Sequence, residues 1–258
     1  MIKKPVLLFA FAVTLLCSLT YFYLNRQYNP KVIASIENYQ FTKEVLDELI
    51  TPLNRHMFVF EPNYNIITFP NILSKQQCDT IISNASHDLS PSLLGKEMDA
   101  YERDAVRKSK TCWLDSTQCP LDDYITDWII SYLQPYFPKI DKSWMERLQV
   151  VEYEPGGKFL EHWDNSWNKT EKDPRFATFL FYLNEDYDGG ETIFPLLKRG
   201  VKGKIGTGLV FYNIDPYSKQ IIAESLHVGN TVRKGNKWIA TKWVHLQPLE
   251  LDEQKRSY

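Results

Sequence analysis

At 258 residues the chain has room for one medium-sized catalytic domain and a small appendage, and 43% hydrophobic with 14% aromatic residues can fill a sizeable core. Charged residues make up 24% and nearly cancel, leaving a formal net charge of −2 with no basic block, which excludes general nucleic-acid binding. No internal repeat and no Cys-x-x-Cys pair occurs, so zinc ribbons and thioredoxin-like chemistry drop out as well.

Behind Lys3 and Lys4, the run from Val6 to Leu24 holds nineteen residues without a formal charge, just long enough to cross a bilayer as a helix. The two lysines favour a cytoplasmic N-terminus. The expectation is a type II signal anchor, with the remainder lumenal in the endoplasmic reticulum or Golgi of a eukaryote. A cleaved signal peptide giving a secreted protein, or a buried soluble helix, are the rival readings; Thr14, Ser18 and Thr20 weaken the span. In an oxidising lumen Cys112 and Cys119 are close enough in sequence to close a disulfide loop, whereas Cys78 reads as a buried helical thiol.

Residues 25–56 read as a stalk containing a helical stretch, Phe41 to Ile50. Short strands are expected at 58–60 and 66–69. Ser74 then opens a helix as N-cap, with Gln77 three residues on completing a capping box. A second helix is expected from Leu121 to Tyr136, with Tyr124, Trp128, Ile129 and Leu133 as its apolar stripe and Pro135 and Pro138 closing it. From 147 onward the pattern changes to strands broken by Gly, Pro and Asn turns: 147–153, 158–164, 175–184, 191–194, 207–213, 220–227 and 236–245. Helices followed by a run of short strands predict an α+β, mainly β fold: a jelly roll (double-stranded β-helix) with supporting helices, preceded by the N-terminal transmembrane helix. The pattern is not βαβ, so a Rossmann domain is excluded.

Within the second of these expected strand regions, His162 and Asp164 stand two residues apart and so share one face, with Trp163 pointing away. His227 must join them from another strand. Two histidines and one carboxylate are the ligand set of non-haem Fe(II) oxygenases, which leave positions open on the metal. His-x-Asp alone is a weak pattern, and each residue singly reads as ordinary structure. Lys237 lies beyond a turn from His227, in a strand that puts Lys237, Ile239, Thr241 and Trp243 on one face. A lysine buried there needs an anionic partner, such as a dicarboxylate; alone, it reads as a surface lysine. Tyr153 ends one strand before the turn Glu154-Pro-Gly-Gly157 leads back toward His162, and Thr178 shares a face with Leu180 and Tyr182. Both can line the same pocket or simply pack in the core.

The run Tyr153 to Asp164, the stretch Arg175-Phe-Ala-Thr-Phe-Leu-Phe-Tyr-Leu183 with Gly189-Gly-Glu-Thr-Ile-Phe-Pro195, the stretch Gly206 to Asn213, and the stretch His227 to His245 together resemble the catalytic domain of prolyl 4-hydroxylases. Arg107 to Leu114 and the helix around Cys78 resemble the same family's supporting region. The resemblance covers roughly residues 65–247 in order and with similar spacing. With the N-terminal readings above, this gives a division into a cytoplasmic tip and anchor (1–24), a stalk (25–56), the catalytic domain (57–247) and a tail (248–258). The resemblance implies that His162, Asp164 and His227 ligate Fe(II), that Lys237 binds the distal carboxylate of 2-oxoglutarate with support from Tyr153 and Thr178, and that Trp243 lines the pocket. O2 would be consumed, succinate and CO2 released, and a prolyl residue of a peptide or protein hydroxylated at the 4-position, with ascorbate as reductant. The same chemistry on lysyl residues or a small molecule, or a jelly roll that only binds, are the alternatives. The loop 165–174 would cover the substrate, with Trp167 or Arg175 touching a peptide, or be a plain connection.

Overall fold

The computed structural model describes residues 66–94, 100–165, 175–216 and 218–249. The expected anchor, the stalk, the strand at 58–60, Trp167 and residues 250–258 lie outside them. No helix among the described residues is long and apolar enough to cross a membrane. In chain order the elements are β1 (Ile66–Phe69), α1 (Lys75–Ala85), β2 (Ser90–Pro91), α2 (Ala100–Val106), β3 (Arg107–Lys108), β4 (Lys110–Leu114), α3 (Leu121–Leu133), β5 (Leu148–Tyr153), β6 (Lys158–His162), β7 (Arg175–Tyr182), β8 (Asp188–Gly189), β9 (Thr192–Phe194), β10 (Arg199–Val201), β11 (Gly208–Tyr212), β12 (His227–Gly229), β13 (Val232–Lys234) and β14 (Lys237–His245).

All pairings are antiparallel. The larger sheet runs β1-β11-β7-β14-β5-β4-β2, the smaller β10-β9-β12-β6-β3, and β13 pairs with β8 alone. Period-two alternation sorts the central strands into two layers. Val150, Ala177, Phe179, Phe181, Val210, Ala240 and Val244 face outward into a core shared with Cys78, Ile81, Ile125, Ile129 and Leu133 of the two long helices. Val151, Leu180, Tyr182, Leu209, Phe211 and Ile239 face inward, with Phe194 of the smaller sheet, to form the inner core of a jelly roll. Burial on both faces explains why β7 is apolar from Phe176 to Tyr182 except at Thr178.

The capping box forms as expected: Gln77 N–H donates to Ser74 Oγ at 3.2 Å and Ser74 N–H donates to Gln77 Oε1 at 2.8 Å. Other expectations need correction. Helix α3 stops at Leu133, not Tyr136, because Pro135 has no backbone N–H with which to continue the helical ladder. Its buried stripe is Asp122, Ile125, Thr126, Ile129 and Leu133, while Tyr124 is exposed and donates its hydroxyl to the Ile72 carbonyl at 3.2 Å. Cys112 and Cys119 are separate buried thiols that join the apolar core instead of bridging. The expected strand 220–227 is a short 3-10 turn at Ala223–Ser225, and β12 begins only at His227. The segment from Val228 to Asn236 contains β13 and reverses at Gly235, whose φ of +73° suits glycine.

The rotation of the α3 stripe has a cause. Asp122, in its first turn, forms a buried ion pair with Lys242 on the outer face of β14. Burial pushes the Asp122 carboxyl up and the Lys242 ammonium down, each against the attraction of the other. Asp122→Ala leaves an unpaired ammonium in the core and is expected to cost about 3–5 kcal/mol, measured by urea unfolding; a loss below about 1 kcal/mol, the range of exposed pairs, would refute it.

Candidate active site

Strand β5 delivers Tyr153 to a turn in which Gly157 N–H donates to the Glu154 carbonyl at 2.7 Å and Gly156 sits at φ +83°. A Cβ on Gly157 would fall 2.7 Å from that same oxygen, so the motif Glu154-Pro-Gly-Gly157 is dictated by the backbone. The turn feeds β6, which ends at His162. Across the ladder β12 places His227 directly opposite His162, with ring centroids 4.2 Å apart. Asp164 follows just after the strand, which is two residues shorter than expected. Trp163 does point away, its indole N–H reaching the Ala223 carbonyl at 3.2 Å.

Each imidazole is oriented by its own backbone. His162 Nδ1 lies 2.7 Å from the Leu160 carbonyl and His227 Nδ1 lies 2.9 Å from the Ser225 carbonyl. A carbonyl can only accept, so both Nδ1 atoms carry the proton and both Nε2 atoms keep a lone pair for the site. Asp164 Oδ1 faces those two nitrogens at 3.5 and 3.8 Å. The potential ligand atoms of the three residues lie within 4.8 Å of one another. Burial, then the neighbouring His162, pushes His227 down to about 4, so it is neutral near pH 7. Burial would raise the Asp164 carboxyl, but His227, His162 and Thr178 hold it well below the usual carboxylate range. An anionic oxygen and two neutral nitrogens suit a divalent iron.

The other expected residues converge on the same cleft, of about 480 Å³ including its open mouth. Lys237, Ile239, Thr241 and Trp243 all line it, as the alternation of β14 requires. Lys237 is only 2% exposed, stands opposite Tyr153 in the ladder, and projects its Nζ over the rings of Tyr153 and Tyr182 at 5.3 and 5.7 Å. No carboxylate lies within 4 Å of it among the described residues, and burial pushes it down to about 8 despite some help from Glu191. A buried ammonium with no carboxylate this close can take up an anion. Gly190 permits this placement: at φ +67°, its missing Cβ would stand 3.0 Å from the Lys237 stem and 3.2 Å from the Tyr187 ring. Thr178, expected to support the cosubstrate, lines the cleft too, and its hydroxyl donates to Asp164 Oδ2 at 2.6 Å.

Several roles escape a reading of the sequence, among them the grip of Arg175 on Glu146, since Arg175 was expected only as a peptide contact. Thr192 borders the cleft and accepts the Tyr182 hydroxyl at 2.8 Å. Arg107, 7% exposed, lies in the wall over the Phe159 ring. Arg175 grips Glu146 with Nε and Nη2 at 2.5 and 2.8 Å and lies 3.7 Å over the Trp243 ring, while His245 Nε2 meets Glu146 at 2.9 Å. Only the run of Arg and His among apolar strand residues signalled them; their partner, Glu146, comes from outside the motifs.

Burial alone would raise the Glu146 carboxyl, but Arg175 and His245 reverse this and hold it at about 2, against 4.5 ordinarily. The folded state therefore binds this proton less readily than the unfolded chain. Its contribution to stability is complete above the ordinary value and is lost as pH falls toward about 2. Glu146→Gln is expected to flatten that acid arm when urea stability is measured at stepped pH; an unchanged slope would contradict the pairing.

Comparison with known proteins agrees with this geometry. A family model described as the 2OG-Fe(II) oxygenase superfamily matches residues 148–245. "Probable prolyl 4-hydroxylase 9" of Arabidopsis thaliana is 32% identical over 207 residues, covering 71% of this chain and 69% of that protein. The "Prolyl 4-hydroxylase subunit alpha-1" of Gallus gallus is 32% identical over 193 residues, covering 70% of this chain and 35% of that one. Among solved structures, the 2OG complex of the viral collagen prolyl hydroxylase vCPH from Paramecium Bursaria Chlorella virus-1 is 30% identical with a TM-score of 0.60, covering 71% of this chain and 97% of that one. At such identity and coverage, the chain belongs to the prolyl 4-hydroxylase family of the 2OG-Fe(II) oxygenases.

Proposed function

We propose that the protein is an Fe(II)- and 2-oxoglutarate-dependent dioxygenase that hydroxylates prolyl residues of a peptide or protein at the 4-position. The observation that carries this reading is the meeting, in one cleft, of a two-histidine, one-carboxylate cluster with a buried ammonium that has no carboxylate within 4 Å among the described residues. His162, Asp164 and His227 hold the iron, and Lys237, above the Tyr153 ring, holds the distal carboxylate of the cosubstrate. When bound, iron and 2-oxoglutarate supply the activation of O2: one prolyl C–H bond becomes C–OH, and 2-oxoglutarate leaves as succinate and CO2.

The chain's own part is positioning. Backbone carbonyls fix both imidazole tautomers, and Thr178 fixes the carboxylate. Val151, Leu180 and Ile239 supply apolar lining to the cleft. Trp243, held under Arg175, forms part of the cleft wall. Ascorbate is the reductant that fits this chemistry.

Around the catalytic domain, placed at 57–247, we read a signal anchor at 1–24, a stalk at 25–56 and a tail at 248–258, with the domain lumenal. Support for the anchor is the uncharged run Val6–Leu24 behind two lysines. The activity is tested with a panel of proline- and lysine-containing peptides incubated with Fe(II), 2-oxoglutarate and ascorbate. Hydroxylated proline is the expected product; hydroxylated lysine beside untouched proline would overturn the target, and absence of succinate would leave a binding module.

A further inference from the structure

We propose, resting on the reading of His162, Asp164 and His227 as metal ligands, that Asn213 is a positioning residue that acts through Thr178 to decide which oxygen of Asp164 faces the metal. Asn213 follows β11 and is fully buried, at 0% exposure. Its backbone is fixed on both sides: its N–H donates to the Phe176 carbonyl at 2.8 Å, and its own carbonyl accepts from Ile222 at 2.9 Å. From there its side-chain Nδ2 donates to Thr178 Oγ1 at 2.9 Å, and Thr178 Oγ1 donates to Asp164 Oδ2 at 2.6 Å.

The direction of this relay follows from the groups themselves. An amide nitrogen can only donate, and an ionised carboxylate can only accept. The Thr178 hydroxyl has one proton, so accepting from Asn213 commits that proton to Asp164. Rotating the Asn213 amide by half a turn would put Oδ1 against the hydroxyl and draw the proton away from Asp164. Only the arrangement with Nδ2 forward satisfies both neighbours. At 2.6 Å the bond to the carboxylate is in the range of charge-assisted hydrogen bonds. It caps Oδ2 and leaves Oδ1 as the oxygen facing His162 Nε2 and His227 Nε2.

A packing role alone does not account for the residue. Asn213 Oδ1 is buried and accepts no hydrogen bond among the described residues. An amide at this position therefore carries a desolvation cost that leucine would not. What it gains in return is the donor aimed at Thr178.

The test uses the full chain, with Mn(II) as the probe and no 2-oxoglutarate or O2, so that metal affinity is read by calorimetry apart from turnover. Asn213→Ala, and Asn213→Leu to keep the volume if alanine does not fold, are each made in the wild-type and Thr178→Val backgrounds. Thermal unfolding of the metal-free proteins confirms which of them fold. In the wild-type background the loss of Asn213 is expected to weaken Mn(II) binding about tenfold, the lower end for an outer-shell partner. In the Thr178→Val background it is expected to change little, and Thr178→Ser is expected to keep wild-type affinity. Unchanged Mn(II) affinity in a folded Asn213 variant, or an equal loss in both backgrounds, would overturn the relay. Wild-type Mn(II) binding no tighter than that of His162→Ala would overturn the metal reading itself, and the relay with it.

Discussion

Alanine at His162, Asp164 or His227 is expected to lower Fe(II) affinity by more than about a hundredfold, beyond the range seen when a mere outer-shell partner is lost, and to abolish prolyl hydroxylation. Each residue contributes an atom that no neighbour can replace. The Nε2 atoms of the two histidines are aimed by the Leu160 and Ser225 carbonyls, and Asp164 supplies the only carboxylate in the cluster. Asp164→Asn is the sharper variant, because it keeps the volume and removes the charge. Thr178→Val should cost less, about tenfold, since it releases the carboxylate without deleting it. Chelation of wild-type protein should remove activity and added Fe(II) restore it. Metal binding by calorimetry and turnover by succinate release check both halves; a folded His227→Ala that still hydroxylates peptide would refute the ligand assignment.

The second large effect falls on Lys237. Lys237→Met would leave the cosubstrate's distal carboxylate buried without its cation, costing about 3–5 kcal/mol. That corresponds to a rise of about a hundredfold or more in the KM for 2-oxoglutarate, with Fe(II) affinity unchanged. The pH dependence follows from the same residue. Burial lowers its pKa to about 8, so in the cosubstrate-free protein the ammonium is lost above that pH. The KM for 2-oxoglutarate should therefore be flat below about 8 and climb above it, while kcat holds. Stability of the free protein runs the opposite way. Between about 8 and 10.5 the unfolded chain binds a proton that the folded chain has released, so Lys237 makes stability rise with pH in that window. Lys237→Met should lack both the climb in KM and this gain. A KM insensitive to the substitution would remove Lys237 from the cosubstrate site.

What was legible in the chain is what depends on local order. His162 and Asp164 are separated by one residue, and the turn at Glu154-Pro-Gly-Gly157 fixes the strand that carries them. The period-two face of β14 placed Lys237 and Trp243 in one wall. The capping box at Ser74 was likewise a local signal, and it forms. What was not legible depends on partners distant in sequence. Tyr124 falls on the expected helical stripe, yet α3 is rotated so that Asp122 can meet Lys242, 120 residues away. The Thr178 hydroxyl could be placed in the cleft, but its bond to Asp164 could not be read, nor the pairing of β11 with β7 that brings Asn213 behind it. Glu146 carries no local signal, and only the fold surrounds it with Arg175 and His245. The tight loop between Cys112 and Cys119 suggested a bridge, but both side chains are drawn into the core behind β4 and α3.

The central claim is tested most directly by following isotopically heavy O2 through one turnover on a proline-containing peptide supplied with Fe(II) and 2-oxoglutarate. One heavy atom is expected at the 4-position of a prolyl residue and the other in succinate, in equal amounts and only with His162, Asp164, His227 and Lys237 intact. Hydroxyl oxygen derived from water, or heavy succinate with no label in the peptide, would contradict it.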